Sequence, residues 1–166
     1  MRSVVRSLNQ TYEATPASVG EGRARLTEFA AAAGAAPDQV EAVRLASSEA
    51  MTNVVLHAYR GAPGAIYVNA AVVSEELWVL IADDGCGLQP RADRPGLGLG
   101  LGLIAQISDD FAIVSRASGG TEVRIRFDLE PAPSSERSAR PPAVESRSPA
   151  GHAPRRPGFT PSASIA

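Results

Sequence analysis

The stretch Glu49-Ala50-Met51-Thr52-Asn53 is the first of four short motifs whose order decides the fold that we predict for this chain. It is followed by Asp83-Asp84-Gly85-Cys86-Gly87, by Gly98-Leu99-Gly100-Leu101-Gly102 and by Gly119-Gly120-Thr121. An acid and an amide lie one helical turn apart, a carboxylate precedes a tight glycine turn, and a glycine-rich segment runs into a helix. Each motif alone is weak, but together they predict a pocket for a magnesium nucleotide.

The first motif lies on a helix that we expect to begin at Pro37. Apolar and small residues recur there at helical spacing and predict the buried face: Val40, Val43, Ser47, Ala50, Val54 and Ala58. Each four-residue step rotates by about 40° around the helix axis, so Glu49 and Asn53 approach the border of that face. The Asn53 amide oxygen suits Mg²⁺, and Glu49 can accept a proton from a hydroxyl group or water. The alternative is a solvated glutamate beside a helix-capping asparagine.

The second motif follows a predicted strand. An aspartate before Gly85 and Gly87 lies on a turn where a ligand can approach the backbone. The Asp83 carboxylate can accept a hydrogen bond from the exocyclic amine of adenine, a donor that guanine lacks at the same position. The alternative is an ordinary hairpin turn. Cys86 is interpreted as a small filler rather than a nucleophile, because no base accompanies it.

The third motif is predicted to be a loop that enters a short helix at Leu101. Gly98, Gly100 and Gly102 then leave backbone N–H groups free to face phosphates at a helix N-terminus. The rival interpretation is a flexible linker. The preceding residues 88–95 are polar and contain proline, and a mobile lid is expected there. Thr121, in the fourth motif, offers a hydroxyl group to a phosphate or simply begins a strand.

Composition excludes several classes of protein. All 16 basic residues are arginine, which rules out the lysine-dependent P-loop and the usual protein-kinase fold. The net charge of −2 argues against a nucleic-acid partner, and no apolar run approaches the length of a membrane span. Cys86 is the only cysteine, so no internal disulfide can form. The N-terminus also lacks a signal-peptide pattern, and we expect a cytoplasmic protein.

The element pattern predicts an α+β fold. Strands are expected over residues 4–12, 66–73, 77–82, 111–115 and 121–129, and helices over 16–33, 37–58 and, after the glycine loop, 101–108. The order β-α-α-β-β-α-β-β favours a two-layer α/β sandwich with a mixed, mostly antiparallel sheet and helices on one face. From Pro131 the chain is rich in proline, arginine and serine. We therefore expect an ATP-binding domain over residues 1–130 and a disordered tail over 131–166.

The motifs taken in order resemble those of the GHKL ATPase superfamily, which has the Bergerat fold. The segment from Ser47 to Tyr59 resembles its N box, Asp83-x-Gly85-x-Gly87 its first glycine box, Gly98-x-Gly100-Leu101-Gly102-Leu103 its second, and Gly120-Thr121 its last. The resemblance covers about residues 1–129. Only 48 residues precede Glu49, and none is histidine, so the phosphoacceptor helix of a sensor kinase has no counterpart. A domain of this size is most similar to the anti-sigma-factor serine/threonine kinases.

That resemblance implies roles and partners. The cofactors would be ATP and Mg²⁺, and the partners a sigma factor and an anti-anti-sigma protein phosphorylated on serine or threonine, with a homodimer possible. Glu49 would polarise the attacking hydroxyl group and Asn53 would bind Mg²⁺. The other implied ATP-binding residues are Asp83, Gly85, Gly87, Gly98, Gly100, Leu101, Gly102 and Thr121. Two alternatives are a non-catalytic, ATP-gated protein-binding module and a slow ATPase of the same fold.

Overall fold

The computed structural model of the chain describes residues 6–87 and 99–129. The elements, in chain order, are β1 (Ser7–Glu13), α1 (Pro16–Ala32), α2 (Pro37–Asn53) with a π-helical turn (Val54–Ala58), β2 (Ala65–Val73), β3 (Glu76–Ala82), α3 (Leu99–Ile107), β4 (Asp110–Ser115) and β5 (Thr121–Asp128). This is the predicted order. The predicted lid at 88–95, Gly98 and the predicted tail all lie outside the described residues.

The five strands form one antiparallel sheet in the order β1-β2-β3-β5-β4. One ladder crosses all five strands and lies on the covered face of the sheet: Gln10, Val68, Ile81, Val123 and Ile113. Burial alternates along β2 and β3, as a sheet covered on one face requires. The α+β sandwich is therefore confirmed, and every strand pair is antiparallel where a mixed sheet was expected.

Local signals explain where the helices begin and end. The Thr15 hydroxyl group caps α1 by accepting a hydrogen bond from the Ser18 N–H at 3.4 Å. Gly34, with φ +92°, follows the end of α1 in the left-handed conformation typical of a C-cap. Gln39 caps α2 through its side-chain oxygen, which accepts from the Ala36 N–H at 3.1 Å. Asp38 lies in the first turn of α2, where an acid favours the helix dipole.

The core lies between the sheet and the helices. Each helix contributes fully buried residues, among them Leu26 from α1, Met51 from α2 and Ile104 from α3. The sheet contributes Ile66, Leu77, Val79, Ile81, Ile125 and Phe127. Five of the six positions predicted for the inner face of α2 are buried, and Val40 is half-buried. The structure thus anchors α2, the helix that carries the first motif, firmly on the sheet.

Three boundaries differ from the prediction by more than one residue. The first strand begins at Ser7 rather than residue 4, and α2 ends at Asn53, where the backbone widens into the π-helical turn. The third helix begins at Leu99 rather than Leu101, so Gly100 belongs to the helix and not to a loop, together with Gly102, which was already expected there. Burial of Ile104 outweighs the poor helix propensity of these glycines. Within residues 6–87 and 99–129, no helix has the length and apolar character that crossing a membrane requires.

Candidate functional site

The π-helical turn joins the end of α2 to the turn that follows β3. The Cys86 N–H donates a 2.8 Å hydrogen bond to the Ala58 carbonyl oxygen. The Cys86 thiol lies 3.5 Å from the carbonyl oxygen of His57. His57 and Ala58 end the helical run, and the last carbonyl groups of a helix have no partner within it, so they are available to a neighbour. The turn that follows the first motif therefore meets the second motif at this point.

Asp83 lies at the end of β3 with only 5% of its surface exposed. Its carboxylate accepts a 2.8 Å hydrogen bond from the Gly85 N–H, and its own N–H donates to the Thr121 carbonyl oxygen at 2.9 Å. Burial raises the pKa of the Asp83 carboxyl group; hydrogen bonds from the backbone of Gly85 and Thr121 and the positive charge of Arg116 oppose that rise. The site thus holds a buried carboxylate in a fixed orientation.

Close backbone contacts explain why two glycines are needed beside Asp83. A Cβ atom on Gly85 would overlap the carbonyl oxygen of Ala58. A Cβ atom on Gly120, which has φ +79°, would overlap the carbonyl oxygen of Asp83. Gly87 also has a left-handed conformation, with φ +70°. The structure therefore brings Asp83, Gly85 and Thr121 together.

Glu49 lies near the C-terminal end of α2, against α3. A Cβ atom on Gly100 would overlap the Glu49 carboxylate. Glu49 and Ala58 are nine residues apart, so α2 and its π-helical turn separate the two contacts by about 14 Å along the helix axis. The C-terminal part of α2 therefore lies against the third motif, and the π-helical turn that follows it contacts the second motif.

Asn53 lies between these two contacts, in the last residue of α2. Its Nδ2 atom is buried and has no hydrogen-bond partner among the described residues. An unsatisfied buried amide is unfavourable, and rotation of the side-chain amide by 180° places either a donor or an acceptor at the same position. Such a group fits a site built for a ligand or ion. Among the described residues, no group of three or more His, Cys, Asp or Glu could hold a metal.

This donor set is compatible with Mg²⁺ and not with a protein-enclosed metal such as structural zinc. Magnesium binds through one or two protein oxygens, several waters and substrate phosphates. Asn53 would supply the protein oxygen. The other residues predicted near the phosphates are only partly described: Gly100 and Gly102 lie in the first turns of α3, whereas Gly98 lies outside the described residues. Leu101 packs its side chain against the core, so only its backbone is available to a ligand.

Sequence reasoning missed several residues around Asp83. Arg116 donates to the Asp83 carbonyl oxygen at 2.9 Å and to the Asp84 carboxylate at 2.6 Å. The Tyr59 hydroxyl group accepts from the Asp84 N–H at 3.0 Å, and the Arg116 guanidinium group lies 5.2 Å from the centre of the Tyr67 ring. Arg116 is 33 residues from Asp83 in the chain. No periodic pattern links the two, and only the adjacent Gly-Gly turn pointed to this region.

The chain matches known proteins over most of the described part. Residues 12–127 match the family of the histidine kinase-like ATPase domain. The anti-sigma F factor of Clostridium acetobutylicum is 26% identical over 119 residues, which cover 64% of this chain and 83% of that protein. The anti-sigma F factor of Halalkalibacterium halodurans is 24% identical over 136 residues, 74% of this chain and 92% of that protein. The serine-protein kinase RsbW of Bacillus cereus is 32% identical over 96 residues, 49% of this chain and 60% of that protein.

A solved structure has a similar fold. The RsbU and RsbW domains of Rv1364c from Mycobacterium tuberculosis superpose with a TM-score of 0.59 and 25% identity over 76% of this chain, which spans 34% of that longer protein. The family match extends over more than half of the chain and includes all the motif residues from Glu49 to Thr121. The resemblance to the GHKL superfamily and to anti-sigma-factor kinases is thereby confirmed. The chain belongs to the histidine kinase-like ATPase domain family.

Proposed function

We propose that the chain is a Mg-ATP-binding anti-sigma regulatory factor that phosphorylates a serine or threonine of an anti-anti-sigma partner and sequesters a sigma factor. The observation that carries the proposal is the placement of Glu49 against Gly100 and of Ala58 against Gly85 on a single helix. A nucleotide bound along that helix would have its base at Asp83 and its phosphates near Glu49. The names of the curated relatives, anti-sigma F factor and serine-protein kinase RsbW, support this interpretation.

Adenine would bind at the Asp83 end. The buried carboxylate accepts a hydrogen bond from the exocyclic amine, while Gly85 lets the turn pack against Ala58 and Gly87 adds no side chain beside the base. Guanine presents a carbonyl oxygen at that position. It would face the Asp83 carboxylate, and because both groups are acceptors no hydrogen bond would form between them in the buried site. Thr121 is adjacent to Asp83, so its hydroxyl group would serve the base end of the pocket rather than the phosphates.

The phosphates would bind at the other end. Gly98, Gly100 and Gly102, at and before the start of α3, would present backbone N–H groups to the phosphate oxygens, and no side chain would obstruct the approach. Asn53 would hold Mg²⁺, which neutralises phosphate charge and orients the terminal phosphoryl group when bound. The chain contains no lysine, so these groups would carry the electrostatic role.

Phosphoryl transfer would depend mainly on position. Glu49 would accept the proton of the attacking serine or threonine hydroxyl group, the hydroxyl oxygen would form the new bond to phosphorus, and ADP would leave. The proximity of Glu49 to the N-terminal turn of α3 supports this role, because that segment would hold the phosphates. Most of the rate gain in such a site comes from holding the two reactants in line.

Capture of partners in Mg-ADP and Mg-ATP, followed by mapping of phosphorylated residues, tests this function. The wild-type chain should transfer phosphate to a captured protein, whereas Glu49→Ala should retain Mg-ATP and lose transfer. Mg-ATP and partner binding without transfer by either protein would identify a non-catalytic, ATP-gated module. Release of phosphate without any partner would identify a slow ATPase. Failure of the wild-type chain to bind Mg-ATP would overturn the proposal altogether.

A further inference from the structure

Arg116 connects the β4–β5 turn to the end of β3. It follows β4 directly, and its backbone is fixed in the turn: its N–H donates to the Gly120 carbonyl oxygen at 3.2 Å, and its carbonyl oxygen accepts from the Gly119 N–H at 3.0 Å. The guanidinium group then reaches across to β3. Because both ends of the side chain are held, Arg116 places its charge at a defined point.

This guanidinium group contacts the backbone of Asp83, the residue predicted to bind adenine. One nitrogen, Nη1, donates to the Asp83 carbonyl oxygen at 2.9 Å and to the Asp84 carboxylate at 2.6 Å. Gly120 abuts the same Asp83 carbonyl oxygen from the other strand of the turn. The β4–β5 turn therefore contacts the Asp83 peptide group twice. The Arg116 side chain donates to its carbonyl oxygen, and the backbone of Gly120 packs against the same oxygen.

Two tyrosines support Asp84 from behind. The Tyr59 hydroxyl group accepts from the Asp84 N–H at 3.0 Å and donates to the Ala65 carbonyl oxygen at 2.6 Å. The Tyr67 ring lies under the guanidinium group of Arg116, 5.2 Å from its centre, in the geometry of a cation–π contact. Hydrogen bonding to the Asp84 carboxylate raises the pKa of Tyr67. Asp84 is thus held by the side chains of Arg116 and Tyr59, and Tyr67 lies against Arg116.

An isolated ion pair on the surface would be weak evidence for a positioning role, since most such pairs contribute almost nothing to stability. This one differs in two respects. The Arg116 side chain is only 29% exposed, so its hydrogen bonds are less screened by water. It also bonds to the main chain of Asp83 itself, so a shift of the guanidinium group moves the peptide that carries the buried carboxylate. Small displacements of a positioned group are sufficient to weaken recognition.

We propose that Arg116 and Asp84 are positioning residues that hold the Asp83 carboxylate at the place required to distinguish adenine from guanine. This inference rests on the proposed function, because it assumes that Asp83 binds the base. Tyr59 and Tyr67 complete the support. The residues need not contact the nucleotide: they act through the Asp83 main chain.

Binding of Mg-ATP and Mg-GTP by calorimetry, at one pH and one salt concentration, tests the proposal through the ratio of the two dissociation constants. Arg116→Met, which keeps the length of the side chain and removes charge and donors, should weaken ATP binding roughly tenfold, the scale of one lost charge-assisted hydrogen bond. GTP binding should change little, so the preference for ATP falls by the same factor. Arg116→Lys, which keeps a charge and a donor, should restore part of the preference for ATP over GTP.

Arg124→Met is the matched control, since Arg124 is an exposed arginine that pairs with Glu122 on its own strand. It should keep the wild-type ratio. A general loss of stability lowers the affinity for both nucleotides together and leaves the ratio intact, so the ratio separates positioning from folding. If Arg116→Met does not fold, Asp84→Asn, which removes the partner charge but keeps an acceptor oxygen, should reduce the ratio instead.

A wild-type chain that prefers ATP, together with folded Arg116→Met and Asp84→Asn proteins that prefer it equally, overturns this inference and leaves the proposed function standing. A wild-type chain that binds neither nucleotide overturns both. The inference is supported if Arg116→Met loses the preference for ATP over GTP, Arg116→Lys recovers part of it, and Arg124→Met keeps the wild-type preference.

Discussion

The carbonyl oxygen of Ala58 accepts a 2.8 Å hydrogen bond from the Cys86 N–H, and this bond joins the helix of the first motif to the glycine turn of the second. Gly85 lies directly against the same carbonyl group. The contact depends on the absence of a side chain at residue 85 and on the position of Ala58 at the end of the helical turn, where its carbonyl oxygen has no partner within the helix. It fixes how the helix end and the end of β3 approach each other.

Substitution of Gly85 by alanine should therefore reduce both stability and nucleotide binding. The added methyl group would overlap the Ala58 carbonyl oxygen, and neither backbone can move without breaking the Cys86 hydrogen bond. Overpacking of this kind costs about 1–3 kcal/mol of unfolding free energy. Urea denaturation measures that loss, and calorimetry with Mg-ATP measures the binding.

Gly20→Ala is the control for this change. Gly20 lies inside α1, and a Cβ atom there meets nothing within 4 Å. Replacement of a helical glycine by alanine at an unobstructed position should stabilise the chain by about 0.5–1 kcal/mol. A Gly85→Ala protein as stable as Gly20→Ala would show that the close contact at Ala58 is not required.

Asn53 should reduce the stability of the chain in the absence of nucleotide. Its buried Nδ2 atom has no partner among the described residues, and an unsatisfied buried polar group costs about 1–3 kcal/mol. Asn53→Leu, which has a similar volume, should therefore raise the melting temperature of the nucleotide-free protein. The same variant should lose the further rise that Mg-ATP produces in the wild type, because a ligand stabilises only the state that binds it.

A matched substitution at Asn69 separates this effect from a general response to leucine. Asn69 is half-buried in β2, on the sheet face opposite the buried ladder, and is paired with Asn9 and Leu80 in the sheet. Asn69→Leu should leave the Mg-ATP response intact. Addition of EDTA should reduce the ATP response of the wild type to the level of Asn53→Leu. An undiminished thermal shift in Asn53→Leu would contradict the assignment of the metal to this residue.

The sequence predicted the element order and the covered face of α2, because both depend on local signals. Gly34 ends α1 as a C-cap glycine does, and Ser74 and Glu75 form a two-residue hairpin with positive φ angles of 52° and 65°. The π-helical turn was not predictable in the same way. Its residues keep the four-residue apolar spacing of an α-helix, and the shift in hydrogen bonding leaves that pattern unchanged.

The contacts of Arg116 were missed for a different reason. Its partners lie 32 and 33 residues earlier in the chain, and the pairing of β3 with β5 brings them together. The start of α3 was predicted too late because glycine disfavours helix, a local preference that the burial of Ile104 overrides. Local chemistry therefore supports a prediction of the site residues, and long-range packing decides which other residues lie against them.

Gly100→Ala should separate catalysis from nucleotide binding. The new methyl group would displace the Glu49 carboxylate, and a glutamate side chain can move aside at little cost in stability. The backbone N–H of residue 100 remains available to a phosphate. We therefore expect near-normal Mg-ATP affinity, whereas phosphoryl transfer should fall by about 100-fold, the scale of a displacement of roughly 1 Å in a reacting group.

Single-turnover transfer to a captured partner measures the rate, and calorimetry measures the affinity. Gly20→Ala again supplies the same chemical change away from the site. Unchanged transfer in Gly100→Ala would mean that the contact between Glu49 and α3 has no part in the reaction.

Asp83 should make both stability and nucleotide affinity depend on pH. Burial raises the pKa of its carboxyl group above the ordinary value of 3.8; the hydrogen bonds from Gly85 and Thr121 and the charge of Arg116 act against that rise, and Asp84 adds to it. An acid with a higher pKa in the folded state binds more protons when folded, in the pH window between its unfolded and folded values. Stability from this group therefore falls as pH rises through that window.

Asp83→Asn removes this titration and isolates its effect. The stability of the variant relative to the wild type should increase as pH rises from 3.8 through the raised pKa and then level off. Nucleotide affinity should show the opposite trend in the wild type, because a hydrogen bond to an ionised carboxylate is about twice as strong as one to a neutral group. Denaturation and Mg-ATP titrations across that range measure both. Parallel pH profiles for the two proteins would mean that Asp83 is already ionised throughout, and that burial does not control its charge.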